Sequence, residues 1–515
     1  MKIIKYIGMG TALFLATGCT SGFEEYNTNP YRPPVVPANT LLSTMFQVYA
    51  SPQQNSCQMN NTMWACFSGQ VTTPTTWNSG DQAFAYYNTI ERFNQATWND
   101  FYGKIYTNLF QIEKLTEKKG LIYHIAQVTR VFAMSRIASL QGPLPYTQVQ
   151  AGNTSAPYDD EKTAWHAMFD DLNAAIKVLE EAAPLGVNVD LASVDQFYKG
   201  DCKRWLKFAN TLKLRMAIRI SGAAGEADYA QQQAEAAVRS GVMDNVNDSS
   251  WDWTNSNMGV NGYNVVDSWG EVKANACLVS YMNGYNDPRR EKYFTQRKDG
   301  SYMGVRSGSQ NIPTPSTYAD YSRLLIATNK AAPQPVMYAA EAAFLCAEGI
   351  LKGWFRDLGM TDAKEYYEKG IRLSFEEYKV NGADDYINND KLKPGNHDDD
   401  VNKNDNYTNK SQVTIKWNNS DTPEVKLEKV LTQKWIALFL DPMNGWADYR
   451  RTGYPQIFPA TRSANNTCTI ERGQRRLHFA ESEYRTNKEN AEAAVSLIHG
   501  GQDTNGADLW WALKN

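Results

Sequence analysis

Seven segments of this chain place apolar side chains three and four residues apart, the spacing that gathers them on one face of an α-helix. Asp100 to Lys118 carries Ile105, Leu109, Ile112 and Leu115, and Ile122 to Leu140 carries Ile125, Val128, Phe132 and Met134 among small residues. Thr163 to Ala183 carries Trp165, Phe169, Leu172, Ile176 and Leu179, with Pro184 as a stop. Trp205 to Ser221 repeats the pattern with Trp205, Phe208, Leu212, Met216 and Ile220. Tyr338 to Gly349 is alanine-rich, which permits close helix contact, and Asp362 to Tyr378 shows Tyr366, Tyr367, Ile371 and Phe375. Glu424 to Leu440 closes the series with Leu427, Val430, Leu431, Trp435 and Leu438. An apolar face must be buried against another element, so neighbouring helices of this length predict an all-α solenoid of helix–turn–helix units. The spacing is too irregular to fix individual repeats.

Between the helices lie long stretches without that period: Ser51 to Gln95, Asp244 to Pro335, and Asn381 to Trp417. The second holds Trp251, Trp253, Trp269, Tyr285, Tyr302, Tyr318 and Tyr321; the third is rich in Asn, Asp and Lys. The chain has 14 Trp, 29 Tyr and 19 Phe, and many sit in these stretches although loops are normally polar. Loops this long inside a compact body point to function. Asp398 to Asp405 offers oxygen atoms at alternate positions, like the start of a calcium loop. Lys403 stands where such a loop needs glycine and no Glu follows at the right distance, so a solvated polar loop, with no metal and no cofactor, is the reading.

The N-terminus is of another kind. Lys2 and Lys5 precede an apolar run from Ile7 to Ala16, the length of a signal-peptide core and too short to span a bilayer. Ala16-Thr17-Gly18-Cys19 resembles a bacterial lipobox, in which cleavage before Cys19 leaves its thiol to carry lipid; Ala16 departs from the more usual Leu. The following segment, to about Thr40, is rich in Asn, Pro and Thr and reads as an extended tether. The expected organisation is residues 1–18 as signal, 19–40 as lipidated cysteine and tether, and 41–515 as one helical domain with insertions near 51–95, 244–335 and 381–417. Net charge is −4 with no basic tract, which argues against nucleic acid or an anionic lipid surface as partner. The six other cysteines are sparse and include no CxxC, so neither a zinc site nor a disulfide framework is indicated, although Cys57 and Cys66 are close enough to pair.

Several short motifs then fall in one order. They are Phe23-Glu24-Glu25-Tyr26-Asn27-Thr28-Asn29-Pro30; the turn Gly142 to Gln148; Phe197-Tyr198-Lys199-Gly200-Asp201 leading into the helix Lys203 to Arg215; and Asp287-Pro288-Arg289. Ala340-Glu341 to Ala347-Glu348 with Gly353-Trp354 follows, then Thr432 to Phe439, Trp446 to Pro455, Arg475-Arg476-Leu477 and Leu509-Trp510-Trp511. Together they resemble the SusD/RagB family of nutrient-binding outer-membrane lipoproteins, in its SusD-like branch. The resemblance implies tetratricopeptide-like helix pairs and a surface-exposed lipoprotein, anchored in the outer membrane through Cys19. It also implies a SusC-like, TonB-dependent barrel as partner, over which the protein closes as a lid. The function implied is capture of oligomeric nutrients, foremost glycans, by a binding protein and not an enzyme; a peptide importer of the same family is the alternative.

Most motif residues read as structural. Trp205, Trp435 and Trp446 belong to the core, and Arg215, Arg450 and Arg451 pair with acids such as Asp448 or cap helix ends. Ligand contacts are expected from the irregular loops, where an aromatic ring offers a sugar large rigid area and amides or carboxylates bond its hydroxyls. The candidates are Trp77, Tyr86 and Tyr87 from the first loop and Trp251, Trp253, Trp269, Tyr285 and Tyr321 from the second, with Asn78, Asp81 and Asn264 as polar companions. A surface glycoside hydrolase is the first rival, but Asp170, Asp171, Glu180 and Glu181 form no recognisable pair across a cleft and the five histidines show no metal spacing. A scaffold without ligand is the second, and the loop aromatics argue against it.

Overall fold

The computed structural model describes residues 35–50, 62–74, 84–153, 155–252, 262–309 and 315–513. In chain order its main helices are α1 (Ala38–Ala50), α2 (Ala96–Thr116), α3 (Gly120–Gln141), α4 (Glu161–Ala182), α5 (Cys202–Ile220) and α6 (Ala227–Ser240). They continue as α7 (Gly262–Ser268), α8 (Ala276–Gly284), α9 (Ala339–Leu351), α10 (Ala363–Glu377), α11 (Pro423–Ala437) and α12 (Pro442–Thr452). Strands are few and short: β1 (Val71–Thr72) pairs antiparallel with β3 (Lys273–Ala274), and β2 (Ser250–Asp252) with β4 (Gln334–Met337).

The helices stack in order, α1 on α2, α2 on α3, α3 on α4, α4 on α5 and α5 on α6; α5 also meets α9, which packs on α10 and α11. This is the all-α stack of helix pairs that the periodicity predicts. The stripes face inward as read: α2 buries Phe101, Ile105, Leu109 and Ile112, and α4 buries Trp165, Phe169, Leu172, Ile176 and Leu179. Each such side chain contributes about 1.5–3 kcal/mol by leaving water. Side-chain caps set the starts. Asp160 accepts from the Thr163 N–H at 2.9 Å, and Asp201 from those of Lys203 and Arg204 at 3.0 and 3.1 Å, each cap stabilising by about 1 kcal/mol. Among the described residues no helix is long and apolar enough to cross a membrane.

Five of these helices lack the sequence signal, and α7, seven residues long, is too short to show a period. α1 begins at Ala38, inside the stretch that reads as tether. α6 buries only Ala230, Ala234 and Ala237, a stripe too small to register as apolar periodicity. α8 buries every residue from Ala276 to Met282, so it has no polar face to set a period. α12 is polar in sequence, and its inward side is satisfied by ion pairs. Arg451 grips Glu348 with two bonds of 2.6 Å and Asp448 at 2.8 Å, while Lys434 reaches Asp448 at 2.9 Å. Arg450 lies over the Trp446 ring at 3.7 Å and donates to the Arg475 carbonyl at 2.9 Å. Trp205, Trp435 and Trp446 are all buried.

The C-terminal segment returns to the start of α4. The Trp510 N–H donates to Glu161 Oε1 at 2.8 Å, beside Gly142, where a Cβ would sit 2.9 Å from Leu509. Glu161 Oε2 has no hydrogen-bond partner, and burial pushes the carboxyl up to about 7. A carboxyl raised on folding binds its proton more tightly in the native state, so its stabilising effect is complete below the usual carboxylate range and is lost as pH rises to about 7. Glu161→Gln keeps the acceptor and removes the charge. It is expected to leave stability unchanged near pH 4 and to raise it at pH 8 by roughly 3 kcal/mol, read from urea unfolding across that range. Equal stability of the two proteins at pH 8 would contradict this.

Candidate ligand-binding face

The three aperiodic stretches come together as one body beside α8 and the C-terminal end of α11. The first is anchored where Gln70 Nε2 donates to the Leu438 carbonyl at 3.2 Å and the Trp435 indole N–H donates to the Ser68 carbonyl at 2.9 Å. It is joined to the second by the β1–β3 ladder and by Asn275, whose amide donates to the Val71 carbonyl and the Ser307 hydroxyl, both at 2.9 Å. Gly304 permits this approach, because a Cβ there would lie 2.5 Å from the Asn275 backbone. The third stretch is tied in by Arg306, which donates to the Asn406 and Pro459 carbonyls at 3.0 and 3.1 Å, and by a short Ser309–Asp405 hydrogen bond.

Much of the aromatic excess builds this body. Tyr285 is 1% exposed and donates to the Val413 carbonyl at 3.0 Å; Tyr321 is 4% exposed and donates to Asp399 at 3.0 Å. Tyr86 is 3% exposed, donates to the Ser309 carbonyl at 2.6 Å and carries the Arg462 guanidinium 3.6 Å above its ring. Tyr87 is half-buried, in left-handed backbone at φ 60°, and its hydroxyl accepts the Ala460 N–H at 3.0 Å. Trp251, also half-buried, donates to Glu377 at 2.7 Å, and the Asn264 amide donates to the Ala327 carbonyl at 2.7 Å. These side chains therefore tie the stretches to one another and to the core: a long insertion with no core of its own buries its own aromatics. Trp77, Asn78, Asp81 and Trp253 lie outside the described residues, as do Cys19 and Cys57; Cys66 is a buried thiol raised by desolvation.

Trp269 is different. It follows α7 and is 54% exposed, while every other described tryptophan is buried or half-buried. The turn under it is held by Asp267, whose carboxylate takes the Arg323 guanidinium Nε at 2.9 Å. Two residues on, Glu271 is half-buried and its carboxyl is raised by desolvation, a neighbour that sequence reading passed over for want of any pattern. On the α12 side, beyond Tyr87, a depression of about 560 Å³ is lined by Tyr407, Tyr449, Tyr454 and Gln456. The segment read as a near-calcium loop uses its carboxylate otherwise: Asp399 accepts from the Val401 and Asn402 N–H groups, both at 2.8 Å, and from Tyr321.

Residues 34–512 match the family model for SusD-like proteins, the SusD and RagB outer membrane lipoproteins. The chain belongs to this family. A SusD-like protein from Bacteroides thetaiotaomicron has 62% sequence identity, with 93% of this chain and 99% of that one covered and a TM-score of 0.89. A chitin-binding SusD homologue from Flavobacterium johnsoniae has 32% identity over the same shares, with a TM-score of 0.86. A SusD homologue from Bacteroides uniformis has 32% identity and a TM-score of 0.85, again with 93% and 99% covered. No curated protein matches the chain. The SusD-like assignment accounts for the order of the sequence motifs.

Proposed function

We propose that this SusD-like chain captures oligomeric glycans at the cell surface and passes them to a SusC-like, TonB-dependent barrel, over which it acts as a lid held by lipid on Cys19. The observation that carries the reading is the full-length likeness to SusD proteins, one of them chitin-binding. Trp269 gives the reading a site: an exposed indole offers a sugar ring a flat apolar face with a polar edge. Binding needs no paired catalytic carboxylates, and the protein acts without turning over its ligand.

Titration calorimetry with chito-oligosaccharides, other glycan oligomers and peptides tests this. A glycan is expected to bind and to remain intact, and Trp269→Ala is expected to weaken it about tenfold or more, as for a truncated aromatic anchor, with the melting temperature unchanged. Binding of peptides alone would move the chain to peptide import, and product formation would make it a hydrolase. Unchanged affinity in Trp269→Ala would remove this indole from the site.

A further inference from the structure

Five of the ten large apolar side chains exposed among the described residues stand at one corner of the body, where α4 gives way to α5 and α1 begins. Leu185, Val187 and Val189 are 83%, 59% and 77% exposed, and Val35 and Val36, just before α1, are exposed as well. The backbone is extended at Val187 and Asn188, so Val187 and Val189 point the same way. Asn188 turns back, and its side-chain oxygen accepts the Leu191 N–H at 2.9 Å. Its own N–H donates to the Gly200 carbonyl at 3.0 Å, and the Gly186 carbonyl accepts the Cys202 N–H at 3.3 Å. Gly200 permits this approach, because a Cβ there would lie 2.4 Å from the Asn188 carbonyl oxygen. The result is an edge with an apolar rim whose polar groups are turned inward. The start of α1 is tied to it: Asn39 donates to the Ser193 hydroxyl at 3.2 Å, and further along Phe46 meets the Phe197 ring at 5.5 Å. Val35 is four residues from Asn39, at most about 14 Å away.

We propose that this corner rests on the lipid surface of the outer membrane, with Leu185, Val187 and Val189 at the boundary between headgroups and acyl chains. Where the chain leads decides the occupant. Going back from Val35, the segment read as a tether reaches Cys19 sixteen residues away, a span of at most about 55 Å. Under the proposed lipid anchoring, on which this inference rests, that far end sits in the membrane, so the corner at Val35 is the part of the body leashed to it. Apolar side chains leave water there at a gain, and backbone groups already paired enter a lipid boundary without losing partners. Charge selects the kind of surface. Between Leu185 and Tyr198 there is no Lys or Arg, and Asp190 is exposed, so the contact suits a neutral lipid face rather than an anionic one. Three side chains add little to an anchor of acyl chains. What they supply is orientation: the root of the tether lies against lipid while the opposite side of the body stays free to rise and fall.

The test uses the mature chain from residue 19 with Cys19→Ala and an N-terminal histidine tag, held on phosphatidylcholine vesicles by a nickel-chelating lipid. The tether is then anchored whether or not Cys19 carries lipid in the cell, and the mass of the native N-terminal peptide answers that question separately. An environment-sensitive dye is placed on Val187→Cys or, for comparison, on Val401→Cys, an exposed valine of the third aperiodic stretch. The same chain without a new cysteine gives the background. On vesicles the dye at position 187 is expected to shift to shorter wavelength and to be quenched by lipids bearing a nitroxide just below the headgroup, at a depth of about 5–10 Å. The dye at position 401 is expected to do neither. Leu185→Ser combined with Val189→Ser, both at exposed positions, is expected to abolish the shift at position 187 and to leave the melting temperature unchanged. The proposal is overturned if the dye at position 187 behaves like the one at 401, or if the double variant keeps the shift. It is equally overturned if the shift appears without vesicles and grows with protein concentration, which would put a second copy of the chain on the patch.

Discussion

Glu341→Ala is expected to destabilise the chain by about 3–5 kcal/mol, the cost of leaving a buried charge without its partner. Glu341 on α9 is fully buried and takes two bonds from Arg215 on α5, 2.7 Å from Nε and 2.5 Å from Nη2. Asp441 lies 3.9 Å from the same guanidinium and 3.5 Å from Arg136 of α3. Arg219, one turn along α5, donates to Ser139 at 2.7 Å and Asn444 at 2.6 Å. Removing Glu341 would leave Arg215 and Arg136 sharing Asp441, while Arg219 keeps only its two neutral oxygens and the field of Asp448. Against a typical total of 5–15 kcal/mol the loss is large, and urea unfolding reads it directly.

The double variant Arg215→Met with Glu341→Met separates charge from packing. A buried ion pair replaced whole by apolar groups is often neutral or stabilising, so the pair is expected to recover most of what Glu341→Ala loses. Acid gives a second readout. Burial raises the Glu341 carboxyl, but Arg215 and Lys434 together outweigh it and hold it below the usual carboxylate range. A depressed carboxyl stabilises the fold above its unfolded pKa and ceases to do so as pH falls through the lower folded one. Glu341→Ala should therefore flatten the acid limb of the stability profile. A loss under 1 kcal/mol at neutral pH would show that water reaches the pair.

The contrast between that cluster and the loops explains what was legible in the sequence. A helix such as α4 announces itself because one face is apolar and the other wet, and its stripe maps directly onto the core. α8 and α12 do not: one is buried all round, and the other hides polar residues that only a tertiary partner neutralises. Arg215 and Arg451 are readable as structural from the acids available to them, though the partners Glu341 and Glu348 emerge only in three dimensions, and Arg450 turns out to be held by the Trp446 ring and the Arg475 carbonyl instead. The loop aromatics were readable as an excess but not sortable. Tyr285 and Trp269 look alike in sequence, yet one donates into the interior and the other stands in solvent. Exposure depends on which stretches meet, and the β1–β3 ladder and the Ser309–Asp405 bond link residues more than ninety positions apart. α2 shows the opposite failure: the rings of Trp98, Tyr102, Tyr106 and Phe110 follow one another at 4.5, 5.4 and 5.8 Å, yet in sequence Trp98 falls before the stretch read as helix and the other three are masked by its aliphatic stripe.

Cys19→Ala is expected to leave glycan affinity unchanged and to abolish glycan-dependent uptake. Under the proposed function the lipid does not touch the ligand, so calorimetry on the soluble variant should match the parent protein. Transport is different, because a lid must find its barrel on every cycle. Acyl chains stabilise membrane attachment by about 0.8 kcal/mol per buried methylene, and a tether of some twenty residues reaches at most about 60–70 Å. That confinement makes closing an intramolecular event at an effective concentration on the order of millimolar. A weak lid–barrel contact then suffices, and a weak contact is what allows reopening. A secreted, unanchored copy at micromolar concentration or below would leave such a barrel uncovered most of the time, a deficit on the order of 10²–10⁴-fold. Growth on the bound glycan, with the variant expressed at the parent level, measures it. Full growth would mean that the lid–barrel contact is tight without the tether, leaving the lipid as retention only and removing the reason for a long leash on a hinged lid.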